Sequence, residues 1–219
     1  MSQTMSARDA AVTARAAGRP DAEAIGAVLG RAFHDDPLIS FLLPDEAARA
    51  TKGPRLFRLL FKLGLPHGGC DMTSGAEAAA LWRPPGAWHI PAWQYLTNGA
   101  EFLGLFGLAG ARRVTSAMDY IEARHPKTPH WYLQAIGTDP DKQGKGYGGV
   151  VIRRHLAIAD EAGIGCYLES SKASNIPIYE SFGFKVTGEI TLPGGPTVWP
   201  MWREPNGGGA KVAPGEPAA

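Results

Sequence analysis

The chain has 219 residues and a mass of 23.3 kDa, the size of one large domain, and its 44% hydrophobic and 20% charged content suits a globular protein with a sizeable core. Its 22 basic and 21 acidic residues leave a net charge of +1, which excludes any overall electrostatic pull toward nucleic acid or an anionic membrane. No stretch reaches the ~18 uninterrupted apolar residues of a membrane span, and residues 1–19 are alanine-rich without the continuous apolar core of a secretory signal. A reducing, cytoplasmic location is the expectation, with Cys70 and Cys166 as buried small hydrophobes. The six histidines form no H-E-x-x-H or Cys/His ligand spacing, so no metal is expected. Glycine (28) and proline (18) together make about a fifth of the chain, against roughly an eighth on average usage.

In chain order, residues 1–10 read as a flexible leader and 11–17 as a short strand. Ile25, Val28, Leu29, Ala32 and Phe33 fit the helical template, with Asp21 as N-cap and Pro37 blocking continuation. A second helix is expected over 44–63, then a break at 64–69. A hairpin follows over 70–82, turning near Ser74 and Gly75 and ended by Arg83, Pro84, Pro85 and Gly86. Residues 91–122 carry a helical pattern interrupted by Gly104, Gly107 and Gly110, which suggest close packing against a neighbour. After a loop at 124–129 come a strand (131–136), a helix opening inside Gly144, Gly146, Gly148 and Gly149, and a strand (166–169). A short helix (175–182), a strand (184–192), a Pro-Gly-Gly-Pro turn and a last strand (197–203) complete the fold. Residues 205–219 read as a disordered tail. Two helical crossovers imply neighbouring parallel strands, and the last turn implies an antiparallel pair. The fold class is therefore α/β (α+β), one domain with a mixed sheet.

The most informative segment is Gln143, Gly144, Lys145, Gly146, Tyr147 and Gly148, between a strand and a helix. Glycines let backbone N–H groups approach a ligand, and a helix start leaves such groups unpaired under a partial positive charge. Together they suit a pyrophosphate. A P-loop is excluded, because Gly146 follows Lys145 and Asp139 occupies the position of its first glycine. The spacing of Gly144, Gly146 and Gly149, with Glu169 downstream, also fits a dinucleotide fingerprint. Its position two-thirds along the chain weighs against that alternative.

These residues resemble the GNAT superfamily of acyl-CoA-dependent N-acetyltransferases. Gln143, Gly146 and Gly148 fill its Gln/Arg-x-x-Gly-x-Gly/Ala motif, and Asn175, Tyr179, Gly183 and Phe184 match a second signature in the expected order. The match is dense over 129–203, where several stretches are most similar to the branch of puromycin N-acetyltransferase and its bacterial relatives; only fragments of the first half join it. The resemblance implies a donor half over 126–204 and an acceptor half over 11–125. It implies acetyl-CoA as cosubstrate, a small-molecule primary amine as acceptor, no metal, and a monomer or homodimer.

Carried over residue by residue, the resemblance implies that Ile136, Gly137 and Thr138 hold the pantetheine arm where two strands splay. The amides from Gln143 through Gly144, Lys145, Gly146 and Tyr147 to Gly148 cradle the pyrophosphate, Asn175 bonds the coenzyme or its loop, and Tyr179 is the general acid. Lys142 and Lys145 are further phosphate candidates. For the base, Glu169 leads because it flanks the cleft; Asp35, Asp36, His130 or a water chain are alternatives. The six tryptophans suggest core and lid, with 81–93 a possible pocket wall. A protein lysine or N-terminal acceptor, and a non-catalytic acyl-CoA sensor, remain alternative readings.

Overall fold

The computed structural model describes residues 12–89 and 91–206. In chain order these form β1 (Ala14–Ala16), α1 (Ala22–Ala32), α2 (Pro37–Leu42), α3 (Glu46–Gly64), β2 (Cys70–Thr73), β3 (Ala78–Arg83), α4 (Ala92–Thr97), α5 (Gly99–Glu122), β4 (Trp131–Thr138), α6 (Tyr147–Glu161), β5 (Cys166–Ser170), α7 (Ile176–Glu180), β6 (Lys185–Val186), β7 (Ile190–Thr191) and β8 (Thr197–Arg203). The leader and nearly all of the tail lie outside the described residues.

One sheet runs β1-β2-β3-β4-β5-β8-β6, with β7 also paired to β8. All its pairs are antiparallel except β4 with β5. The second crossover, through α7, does not deliver a neighbouring parallel strand as expected: β8 inserts between β5 and β6. The expected 184–192 strand is correspondingly two short pieces, β6 and β7, each satisfied by a different part of β8.

Helices cover both faces. The apolar stripe of α1 (Ile25, Val28, Leu29) is buried, and Gly26 and Gly30 let α1 lie against α3, where an added Cβ would come within 2.6 and 2.5 Å of Pro54. On the β4 side a Cβ on Gly137 would meet the Ala32 Cβ at 2.6 Å, so that glycine sets how closely α1 approaches the strand. Val151, Ile152, Leu156 and Ala159 of α6 pack on Trp82, Leu133 and Leu168. Asp71 of β2 holds α6 through Arg154 Nε at 3.0 Å and His155 Nδ1 at 2.9 Å, and Arg203 of β8 pairs with Asp160 through two bonds of 2.7 and 2.8 Å.

Several local expectations are corrected. Asp21 donates no side-chain cap to α1; its carboxylate instead accepts from Gly18 N and binds Arg15. Pro37 does not merely stop α1: it opens α2, with Asp36 accepting from the amides of Leu38 and Ile39. The hairpin turn falls at Ser74 and Gly75 as expected, followed by a left-handed residue at Ala76, φ 58°. The helical 91–122 stretch is α4 followed by α5, and Gly107 (φ 64°, ψ 178°) kinks α5. Its added Cβ would meet nothing within 4 Å, so a backbone turn, not close packing, requires glycine there.

Candidate active site

The parallel pair β4–β5 is joined through only two residue pairs, Trp131 with Cys166 and Tyr132 with Tyr167. Beyond Tyr132, β4 continues to Thr138 without β5 beside it, so the two strands part into a V. On its other edge β4 carries a bulge, since Leu81 pairs Ala135 while Trp82 pairs Leu133. A bulge increases local twist and re-aims the strand.

Below this V lies a cleft of about 660 Å³, bounded by Ile136, Gly137 and Thr138 on β4, by Gln143, Gly144 and Gly146 in the loop, and by Tyr147 and Gly148 on α6. Asn175 and Tyr179 face it from the other side. Gly144 (φ 74°) and Gly146 (φ 81°) are left-handed, and a Cβ on either would point into open space. Gly146 caps α6 without any side-chain acceptor, leaving the first amides of a 15-residue helix free for an anion. The Gln143 side chain donates to the Thr138 carbonyl at 3.3 Å and ties the loop to the strand. Asn175 makes no side-chain capping bond to α7.

Of the expected coenzyme residues, Lys142 and Lys145 are outside this lining: both stand exposed in the loop. Arg153 and Lys172, not singled out from sequence, are the cations that line the cleft. The Arg153 guanidinium folds back to within about 3.0 Å of where a Cβ on Gly149 would sit. The signal was its position two turns into a helix opened by glycines.

A second cavity, about 180 Å³, opens between α2, α3, α5 and the sheet. Its walls are apolar, including Ile39, Leu42, Phe57, Leu60, Phe106, Met118 and Trp88, and its polar groups gather at Asp36, Glu122, His125, Tyr132, Gln134, Glu169 and Ser171. Glu169 is nearly buried, with only 6% of its side chain exposed and Oε1 3.4 Å from His125 Nδ1. That oxygen has no hydrogen-bond partner among the described residues. Burial, then the Glu169 charge, pushes the Tyr132 and Tyr167 phenols well above their usual range, so both stay neutral beside the carboxylate.

The two cavities meet at Asp36, Ser171, Lys172 and Tyr179. Asp36 lines the apolar cavity, Tyr179 and Lys172 the cleft. Burial, and secondarily the nearby Asp36 charge, pushes the Tyr179 hydroxyl up to about 12, while its ring packs edge-on to Phe184 at 6.2 Å. The other base candidates are otherwise engaged. Asp36 is occupied by two α2 amides and the Ser171 hydroxyl. Asp35, 78% exposed at its side chain, pairs with Lys172 at 2.8 Å. His130 lies behind His125 and not in the cavity. No spacing rule pointed to His125; it meets Glu169 only through the fold.

A splayed parallel pair, a glycine turn into an uncapped helix at the gap, and an apolar cavity near it fit an acyltransferase. The sequence pattern of the acetyltransferase (GNAT) family matches residues 72–184, and the chain belongs to that family. Over 183 residues it is 27% identical to an uncharacterized N-acetyltransferase of Schizosaccharomyces pombe, covering 78% of this chain and 74% of that one. A Corynebacterium glutamicum structure described as histone acetyltransferase HPA2 and related acetyltransferase is 26% identical, with a TM-score of 0.69 over 91% of this chain and 99% of that one. Arylalkylamine N-acetyltransferase 2 of Aedes aegypti, 12% identical, shares the fold with a TM-score of 0.58 over 90% and 100% of the two chains.

Proposed function

We propose that the protein is an acetyl-CoA-dependent N-acetyltransferase whose acceptor is the primary amine of a small molecule with an apolar body. The observation that carries this is the pairing of an apolar cavity with the buried Glu169 carboxylate at its polar end, one oxygen of which has no hydrogen-bond partner among the described residues. A protein side chain or chain end would present far less apolar surface than those walls can cover. The printed name of the Aedes aegypti relative supports a small acceptor. The printed name of the Corynebacterium glutamicum structure is the reason to keep a protein acceptor as the second reading.

In this account the first half of the chain (11–125) builds the acceptor side and 126–204 the donor side. The open space beside Gly144 and Gly146, the uncapped α6 amides and the Arg153 charge fit a pyrophosphate. Ile136, Gly137 and Thr138 offer the freed β4 edge to an amide-bearing arm, and Asn175 holds its other flank. Acetyl-CoA supplies a thioester, an acyl group joined to a good leaving group. Glu169 takes the proton that an ammonium must lose before its nitrogen can attack. Tyr179 donates a hydrogen bond where thiolate charge develops, its proton held firmly by burial.

The test is free-thiol release from acetyl-CoA across amines graded in apolar size, with acetyl-CoA binding followed by calorimetry. Binding together with turnover that rises with apolar bulk supports the proposal. Binding without transfer to any amine identifies a sensor, and an absence of both contradicts the account.

A further inference from the structure

The bulge in β4 places one polar side chain on the wall of the apolar cavity. Leu81 pairs with Ala135 and Trp82 with Leu133, so Gln134 is the extra residue. Leu133 packs into the core with α6, whereas Ala135 packs into the core beneath α1 and α3. In a regular strand these two residues would share a face. The bulge reverses the strand between them, and Gln134, at the reversal, stands half-buried in the cavity lining.

Its orientation is fixed from behind. Arg83 Nε and Nη2 both donate to Gln134 Oε1, at 3.1 and 2.7 Å, and Nη2 also donates to the Leu60 carbonyl at 2.7 Å. Arg83 is buried, and a Cβ on Gly64 would overlap its Nη1, so that glycine makes the room the guanidinium fills. A guanidinium only donates, so the atom facing it is the amide oxygen, and the Nε2 hydrogens are directed away from it. Nε2 makes no hydrogen bond among the described residues. The guanidinium charge on the amide oxygen also strengthens those hydrogens as donors.

The rest of the cavity defines what this donor can meet. The walls are largely apolar, and Asp36, Glu122 and Glu169 supply carboxylates. A carboxylate on the ligand would be repelled by all three. The Ser171 hydroxyl is committed to Asp36, and Glu122 is held by His89 at 2.9 Å. A neutral oxygen, as in an ether or a carbonyl group, accepts from Nε2 without adding charge.

We propose that Gln134 is a specificity-determining residue: its amide nitrogen donates to a neutral oxygen on the acceptor's apolar body, so the preferred substrates are primary amines that carry an ether or carbonyl oxygen. The inference rests on the reading of this cavity as the acceptor site. A wholly hydrocarbon body would leave Nε2 desolvated and unpaired, a cost that the oxygen removes. The contact lies on the body and not at the reacting nitrogen, so it acts on binding and leaves the chemical step alone.

The experiment uses phenylalkyl amines in matched pairs. One CH2 of the body is replaced by an ether oxygen or a carbonyl group, at successive positions far enough from the nitrogen to leave its basicity unchanged. Thiol release at saturating acetyl-CoA gives kcat and KM for each member. In the wild-type protein, the oxygen at its matching position should raise kcat/KM about tenfold over the methylene partner, through KM with kcat held. Gln134→Met replaces the amide by an apolar chain of similar length and should erase that preference. Should Gln134→Met fail to fold because Arg83 loses a partner, Gln134→Glu keeps an oxygen against both Arg83 donors and removes only the amide hydrogens. The added charge acts alike on both members of a pair, so the preference should again be erased. A wild-type protein that prefers the oxygen at no position, or a preference that survives the substitution, overturns the role of Gln134 alone. A wild-type protein that acetylates none of these amines overturns the underlying reading, and this inference with it.

Discussion

Replacing Tyr179 by phenylalanine separates two ways in which a tyrosine can assist a departing thiolate. The hydroxyl lies at the junction of cleft and cavity and is pushed up to about 12 by burial and by Asp36. A thiol titrates near ~8.5, so full proton transfer from Tyr179 to a thiolate is uphill by about 3.5 units, roughly 5 kcal/mol. In the proposed reaction we therefore assign Tyr179 the role of a hydrogen-bond donor that keeps its proton, in place of the general acid that the resemblance implies. A bond to a charged acceptor contributes about 1.5–3 kcal/mol, so Tyr179→Phe should lower kcat about 10- to 150-fold. Acetyl-CoA affinity should hold, because the ring and its packing on Phe184 remain. The assay is steady-state thiol release over pH 6–10, with calorimetry on both proteins. A tyrosine whose value is raised stays protonated across that range, so wild-type kcat should show no falling limb from this group. A wild-type limb with a midpoint near ~8.5 that vanishes in the variant would mean outright proton donation. Unchanged kcat in Tyr179→Phe would remove any role in the reaction.

Three further outcomes follow from the geometry. Gly146→Val places a β-branched residue at φ 81° with no steric contact nearby, so the cost is backbone strain of roughly 1–2 kcal/mol. Thermal unfolding should shift down by about 2–8 °C. Because the new side chain points into the proposed pyrophosphate space, acetyl-CoA affinity should fall at least about tenfold; a lower Tm with unchanged affinity would refute the cradle. Glu169→Gln keeps shape but cannot take a proton, so kcat should fall on the order of 10²–10³-fold with acetyl-CoA binding intact; activity within twofold of wild type would remove Glu169 as base. The Arg15 guanidinium and the Gly18 amide lower the Asp21 carboxyl from 3.8 to about 2. The stability this group contributes is therefore present above pH 3.8 and lost as pH falls through about 2. Asp21→Asn should flatten the acid limb of denaturant midpoints measured between those values, and an unaltered limb would contradict the assignment.

The donor half was legible because backbone chemistry writes itself into sequence. A loop that must turn left-handed twice needs glycines at 144 and 146, and a helix that must leave its first amides free has no Ser, Thr, Asp or Asn before Tyr147. Those needs are local, so residue type and spacing expose them. Asp36 and Pro37 were equally local, an N-cap followed by a helix-opening proline; reading Pro37 only as a barrier hid α2 and with it a wall of the acceptor cavity. The insertion of β8 between β5 and β6 could not be read in the same way, since strand order is decided by which edges remain to be covered once the turn at 193–196 has formed. The apolar cavity was least legible. His125, Trp88 and Tyr132 converge on Glu169 from separate elements, and nothing in their spacing along the chain records that meeting. Gly107 misled by its spacing: with Gly104 and Gly110 it resembled a close-packed helix face, but its positive φ is the requirement.

The most direct test of the account is a single competition. The protein and acetyl-CoA are incubated with equal concentrations of a phenylalkyl amine, a linear polyamine and a lysine-containing peptide, and the products are quantified by mass spectrometry. An apolar cavity with the buried Glu169 carboxylate at its polar end predicts that the acetyl group accumulates on the phenylalkyl amine. Acetyl group predominantly on the polyamine or the peptide, or on none of the three, would contradict it.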